Sequence, residues 1–385
     1  MKILHLAPIK CSLEDEELNG GRKSPEGLSA SVTSLAEAQF NNGFRVGVIS
    51  SKDSSRPVKE GIFWHSIGDK TIFELVFNNP LHKISSEFGN FEILNIHDIY
   101  NFRQILFLLL SLKEKIKIYI SPRGCFSEVA LSRSKFKKWF FLNLLLRPLL
   151  QYIEGFIALN ENEKEQIQKV FRNSKVIIIS NGIKYSASRD LELKENFQKK
   201  VQKKLIKIGY LGRFDIFIKG LDTLLNSYLR YQESANEVMI ELVLIGEHRK
   251  REQDSYVFIN NFKDKLKDKS KFVVLGPIYG LQKWVELSKF DILIQPSRTE
   301  GMPNTVLEAM SIGVPCVISP QTNMADIIQE ADCGWVVQSE EKEIEEFFHF
   351  VSKFEKRDLV RMGLRGQEYA KDKLTWDKIG AIEYK

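Results

Sequence analysis

The chain has 385 residues, 43% of them hydrophobic, and a formal net charge of +6. That much apolar material supports two domains of ordinary size, and a two-domain enzyme is the expectation. The four cysteines, Cys11, Cys125, Cys316 and Cys333, lie far apart with no CxxC pair, so neither a zinc site nor a disulfide framework is suggested, and the compartment reads as reducing.

The first ten residues, MKILHLAPIK, carry an apolar run too short for a secretory signal and are better read as a first strand. No segment approaches the ~20 apolar residues needed to cross a bilayer, so a soluble or peripheral protein is expected. GLSASVTSLAEAQFNNG reads as an amphipathic helix ending at Gly43, and FRVGVIS as a strand. FEILNIH, IKIYISP, GFIALN and KVIIISNG are further short strands separated by helical stretches, a βαβ rhythm.

Within residues 101–150, ten lysines and arginines face two acids, Glu114 and Glu128. The same window contains FKKWFFLNLLLRPLL. This mixture fits a long helix packed on a sheet with a solvated basic face, and it also fits a helix lying on an anionic lipid surface through 135–147. Nucleic acid is the weaker partner, because no nucleic-acid motif accompanies the charge.

A polar, core-poor segment from Lys184 to Lys204 interrupts the rhythm, which restarts with LIKIGYLGRF, IELVLIGE, KFVVLGP, DILIQPS and VPCVIS. The division expected is 1–183, a linker over 184–204, 205–369, and a last helix over 370–385 that crosses back to the first domain. Parallel sheets bind ligands beyond the carboxyl ends of their strands, so the residues after each strand of the second domain matter most. Gly212 and Arg213 end one strand, and Lys219 and Gly220 open the next helix. Two cations at a helix start suit a diphosphate, although two surface cations near a turn fit equally well. Gly246 in LIGEHR, and Pro277 and Ile278 in LGPIYG, mark strand ends where a flat ring can approach backbone.

The stretch SRTEGMPNTVLEAMSIGVPCVIS places Glu300 and Glu308 around a Gly-Met-Pro-Asn turn. Asn304 reads as an N-cap, Thr305 to Ile312 as two helical turns, and Gly313 as the terminator. Glu308 then leans back toward the loop of Glu300. Spacing alone leaves both glutamates compatible with solvated surface charges.

Taken in order, Gly212-Arg213, Lys219-Gly220 and PSRTEGMPNTVLEAMSIGVPCV resemble the donor-binding half of family 4 retaining glycosyltransferases with the GT-B fold. EGLSASVTSLAEAQFNNGFRVGVIS, IALNENEKEQI, IISNGI and LTWDKIG extend the resemblance over most of the chain. The resemblance implies an α/β protein with two Rossmann-like parallel-sheet domains facing across a cleft, an N-terminal acceptor domain and a C-terminal nucleotide-sugar domain. It gives Arg213 and Lys219 to the diphosphate, Glu300 to the sugar hydroxyls, Glu308 to the ribose, and the backbone of Gly301, Met302, Pro303, Asn304 and Thr305 to sugar and phosphate.

On the acceptor or phosphate side it implicates Gly27 or Gly20-Gly21 in a flexible turn. His97 and Arg123 end strands nearby, and Arg123 stands where family members often carry a histidine. The Pro-Arg-Gly turn resembles bacterial capsule and O-antigen transferases. The implied reaction moves a hexose from a nucleoside-diphosphate sugar to a lipid-linked glycan at the cytoplasmic face of the membrane. No metal or other cofactor is expected, for no Asp-x-Asp occurs in the sequence. A sugar-nucleotide epimerase of the same fold and a silent sugar-nucleotide binder are the alternatives.

Overall fold

The structure, a computed structural model, describes residues 1–13, 23–25, 27–52, 55–68, 70–132, 134–184, 204–248, 253–382 and 384. Gly20 and Gly21, and nearly all of the expected linker, lie outside the described residues. The chain divides into two units, Met1–Lys184 with Leu374–Lys385, and Tyr185–Lys373.

In the first unit, β1 (Lys2–Ala7) is followed by a small antiparallel pair, β2 (Cys11–Leu13) and β3 (Lys23–Pro25). Then come β4 (Arg45–Ser50), β5 (Phe63–Ser66), β6 (Ile93–His97), β7 (Lys117–Ser121), β8 (Gly155–Ala158) and β9 (Val176–Ile178). Seven of these form one parallel sheet in the order β5-β4-β1-β6-β7-β8-β9. Its central strands are buried on both faces, as parallel strands covered by helices must be, and this is why they read as unbroken apolar runs. The strand order reverses between β1 and β6.

The second unit repeats the plan with β10 (Ile206–Leu211), β11 (Ile240–Ile245), β12 (Phe272–Leu275), β13 (Ile292–Gln295), β14 (Cys316–Ile318) and β15 (Gly334–Val336). All pairings are parallel in the order β12-β11-β10-β13-β14-β15, so the reversal falls between β10 and β13. In such sheets the crevice for ligands opens where the order reverses, at the carboxyl ends. The fold therefore singles out the loops after β10 and β13. A buried ion pair, Lys356 Nζ to Asp291 Oδ2 at 2.8 Å, pins the helix Lys356–Lys373 under this sheet.

After Leu374 the chain lies in the first unit again. The helix Trp376–Gly380 packs so closely on the helix Leu28–Asn41 that a Cβ on Gly380 would lie 2.6 Å from Ala38. Trp376, Ile379 and Tyr384 share one apolar cluster with Ile3, Leu35, Ala38 and Ile93.

Two sequence expectations change in detail. Asn304 is the first residue of the helix Asn304–Ser311 and Pro303 is its cap, because the proline holds an extended backbone (φ −71°, ψ 120°) immediately before it. The basic window does not form one regular helix. It runs as an α-helix Lys135–Phe140, a π-helix Phe141–Leu146, a short α-turn Arg147–Leu149 and a 3-10 turn Leu150–Tyr152. Pro148 has no N–H for the carbonyl one turn back, and a change of pitch accommodates that loss. Phe136, Trp139, Phe140 and Leu144 are exposed along this run.

A polar column crosses the core of the first unit. His5 Nε2 donates to Gln39 Oε1 at 2.8 Å, and His5 Nδ1 lies 2.9 Å from His97 Nε2. With Gln39 so oriented, His5 Nδ1 accepts from His97, and the bare Nδ1 of His97 faces Arg123 Nη2 at 3.3 Å. Gln39 Nε2 donates onward to Tyr384 Oη at 3.1 Å.

Burial lowers the pKa of His5 from 6.5 to about 4 and that of His97 well below its usual value. Both imidazoles are neutral in the folded protein at pH 7 and take up protons at mildly acid pH only on unfolding. Their contribution to stability is thus fully present above about pH 6.5 and declines as the pH falls toward 4. For His5 the drop from 6.5 to about 4 corresponds to roughly 3 kcal/mol. Urea unfolding at pH 7.5 and pH 5 should show part of this loss, about 2 kcal/mol from His5, and His5→Gln should reduce it. An equal loss in the variant would assign it to other groups.

Candidate functional site

The loop after β10 is built around glycine. A Cβ on Gly246 would lie 1.8 Å from the Gly212 carbonyl oxygen, so the loops after β10 and β11 touch backbone to backbone only because Gly246 lacks a side chain. The turn then closes on Asp215, whose Oδ1 accepts from the Ile218 N–H at 2.9 Å and whose carbonyl accepts from the Lys219 N–H at 3.0 Å. Gly220 ends it in the left-handed conformation (φ 65°), and a Cβ there would meet the Pro296 carbonyl at 2.1 Å. That contact joins the loop after β10 to the loop after β13.

Across this junction the Lys219 ammonium forms an ion pair with Glu300 Oε1. The same oxygen accepts from Ser297 Oγ at 2.9 Å and from Gln295 Nε2 at 3.3 Å. The Glu300 backbone is fixed as well, for its N–H donates to the Gln321 carbonyl at 3.0 Å and its carbonyl accepts from Asn323 Nδ2 at 2.7 Å. Arg213 is half-buried at the start of the loop, and no hydrogen bond or ion pair occupies its guanidinium among the described residues. Lys219 and Glu300 have about one-seventh of their side chains exposed, 14% and 15%, so both are reachable yet largely desolvated.

Glu308 lies in the second turn of the helix Asn304–Ser311, whose first turn has no acidic residue to offset the positive end of its dipole. Its Oε1 is paired at 2.6 Å with Lys283 from the helix Gly280–Ser288. The two glutamates expected to act together are therefore held by two different lysines. Met302 and Pro303 are buried, while Gly301, Asn304 and Thr305 are half-buried. Pro277 is exposed and Ile278 half-buried in the connection between β12 and Gly280.

Sequence reasoning missed Lys283, which has no motif around it, and Arg298. The Arg298 side chain donates to Asp222 Oδ1 at 2.7 Å, Thr223 Oγ1 at 2.6 Å and the Phe217 carbonyl at 2.7 Å, and its guanidinium lies 4.5 Å from the Phe217 ring centroid. It ties the glutamate loop to the lysine loop. Its position within the Ser297–Glu300 stretch was visible, but its partners are not local.

In the first unit, the structure places His97 wholly inside the core with both ring nitrogens engaged. Arg123 holds a left-handed backbone (φ 57°) and donates through Nη1 to Asn181 Oδ1 at 2.6 Å. Burial pushes its pKa down to about 10, which leaves it charged at neutral pH. The Arg123–Gly124 turn is pinned by the buried Glu163, whose carboxylate accepts from the N–H groups of Gly124 and Leu159 and is raised in pKa by burial. Gly27 is exposed at the start of the helix Leu28–Asn41, with φ 47° and ψ −115°.

Replacing Arg298 by Ala removes three hydrogen bonds, one of them to a carboxylate. The expected cost is about 1.5–3 kcal/mol in urea unfolding of the second unit. Arg298→Lys should not restore it, because an ammonium cannot reach all three acceptors in one plane. Recovery by lysine would mean that charge alone matters here.

Comparison with known proteins gives a consistent picture. A family model described as Glycosyltransferase Family 4 matches residues 25–186, and one described as Glycosyl transferases group 1 matches residues 206–353. An uncharacterized 41.2 kDa protein in the cps region of Klebsiella pneumoniae is 23% identical over 355 residues, covering 89% of this chain and 87% of its own. The capsular polysaccharide biosynthesis glycosyltransferase CapM of Staphylococcus aureus is 22% identical over 232 residues, 58% of this chain and 57% of its own. Among solved structures, Anabaena HepE in complex with UDP and glucose superposes with a TM-score of 0.72 at 14% identity, covering 99% of this chain and 97% of that one. Sucrose-phosphate synthase from Thermosynechococcus elongatus gives 0.71 at 15% identity over 98% and 96%.

Proposed function

The chain belongs to the family 4 glycosyltransferases of GT-B fold, and from that premise we propose that it moves a hexose, with retention of anomeric configuration, from a nucleoside-diphosphate sugar to a glycan acceptor of a bacterial surface polysaccharide. The observation that carries this reading is the pairing of Lys219 with Glu300 across the reversal of the second sheet. A cation and a carboxylate held side by side at that place match the two halves of the donor. The diphosphate takes the cation and the sugar hydroxyls take the carboxylate.

The chemistry follows from that division. As the bond from the anomeric carbon to the diphosphate breaks, negative charge grows on the leaving oxygen. In this reading Lys219 and Arg213 stabilise it, and their loop is already fixed by Asp215 and Gly220, so little reorganisation is needed. Glu300 orients the hexose through its hydroxyls, and Glu308 accepts from the ribose hydroxyls while Lys283 shares its other side. With two cations serving the diphosphate, the reaction proceeds without a divalent metal.

The donor reading draws support from HepE, whose structure holds UDP and glucose, and the capsule reading from CapM. A lipid-linked acceptor at the cytoplasmic face is consistent with the exposed Phe136, Trp139 and Phe140 beside the exposed Lys135 and Lys137, a surface suited to anionic lipid. No helix among the described residues is long and apolar enough to cross a membrane.

The decisive experiment incubates the protein with labelled sugar nucleotides in the absence of acceptor. Slow hydrolysis to the sugar of unchanged anomeric configuration is expected. An epimeric product would make the protein an isomerase, and tight binding without turnover would make it a binder. In the same assay Arg213→Ala and Lys219→Ala should each lose roughly 2–4 kcal/mol of transition-state stabilisation. Activity within threefold of the parent in both refutes their role.

Glu308→Gln should weaken binding of the free nucleoside diphosphate, whereas Glu300→Gln should spare that binding and reduce turnover. Equal nucleotide affinities in the two variants would end this division of labour. Excess chelator should leave the rate unchanged, and a loss reversed by magnesium or manganese overturns the metal-free reading.

A further inference from the structure

The first unit contains a cavity of 590 Å³ lined by none of the residues assigned to the transfer reaction. It opens at the amino ends of β8 and β9, beside Gly155 and Lys175, whereas Gly27, His97 and Arg123 all lie toward the carboxyl ends of the same sheet. Its volume lies within the range of small-molecule sites.

The lining mixes three kinds of side chain. Arg147, Arg172 and Lys175 supply positive charge, Leu150, Ile153 and Val170 supply apolar surface, and Gln151, Asn173 and Ser174 are neutral and polar. One acid, Glu154, reaches the cavity, and it is already paired with Lys175 at 3.0 Å. Arg147 spans the wall, its Nη2 3.4 Å from the Val170 carbonyl at the end of the helix Glu161–Val170. Arg172 has no ion-pair partner among the described residues. Two guanidinium groups with no carboxylate of their own favour a phosphate, which they bind through parallel N–H donors. The apolar wall beside them offers contact to hydrocarbon.

Leu144 and Leu145, both exposed, precede Arg147 with the buried Leu146 between, and Tyr152, also exposed, follows it within two turns. The cavity thus adjoins in sequence the apolar run that begins at Phe136. We propose that this cavity binds one anionic glycerophospholipid molecule, with the headgroup phosphate at Arg147 and Arg172 and the first methylenes of its chains against Leu150, Ile153 and Val170. None of its lining residues is a donor residue, and the site does not depend on the transferase reading.

The test titrates the full chain with dihexanoylphosphatidylglycerol below its micelle concentration, followed by calorimetry. Saturable binding is expected, at least tenfold tighter than that of dihexanoylphosphatidylcholine and of inorganic phosphate. Arg172→Gln and the double variant Arg147→Gln/Arg172→Gln should weaken it by tenfold or more. The triple change of Lys135, Lys137 and Lys138 to Gln should leave it intact, because those lysines do not line the cavity. Inorganic phosphate binding as tightly as the lipid would make this a phosphate site only. Equal binding of the two lipids would make it an apolar groove, and either result overturns the proposal, as does parent-like binding by the double variant or no binding at all. Affinity for UDP, measured in the same variants, should be unchanged, so failure here is distinguishable from failure of the transferase reading.

Discussion

The second unit depends on two loops approaching more closely than side chains permit. Gly220, in the left-handed region, lies against the Pro296 carbonyl with room for a hydrogen and none for a methyl. Because that contact exists, the loop after β10 and the loop after β13 share one surface at the reversal of the sheet. Lys219 then reaches Glu300, and Arg298 reaches back to Asp222 and Thr223. Any residue other than glycine at 220 would push the two loops apart, and the lysine and the glutamate with them.

The two glutamates at this place are already paired, Glu300 with Lys219 and Glu308 with Lys283. Partly exposed pairs of this kind add little to stability, on the order of 1 kcal/mol or less. Their use is positional. Each lysine keeps a carboxylate in one rotamer, and Ser297 and Gln295 hold the remaining geometry at Glu300. A ligand that brings both phosphate oxygens and hydroxyls satisfies the members of a pair without first having to order them, which lowers the entropic cost of binding.

The first unit uses buried polarity differently. His5 and His97 are neutral donors and acceptors in a column that runs from Arg123 to Tyr384 near the chain end. Such a column is favourable only when its members are satisfied. It makes the returning C-terminal segment part of the core of the unit in which the chain begins, together with Trp376 and Ile379. Arg123, with its guanidinium committed to Asn181 and His97, organises the turn after β7 from inside.

The sequence by itself determined the alternation of strands and helices, the two sheets, and the turn that sets Glu300 just before the helix carrying Glu308. These are local properties. Apolar runs of strand length, glycines at turns and the proline before Asn304 act on the few residues around them, so they can be read in chain order. What only the tertiary structure decided is which charge meets which. Lys219 and Glu300 are 81 residues apart, His5 and His97 are 92 apart, and Gln39 and Tyr384 are 345 apart. Lys283 and Arg298 carried no pattern of their own and gained their roles from helices and loops that the crossovers bring beside them. A side chain's partner depends on the order of strands in the sheet and on where each crossover sets the next helix, and spacing along the chain does not encode either.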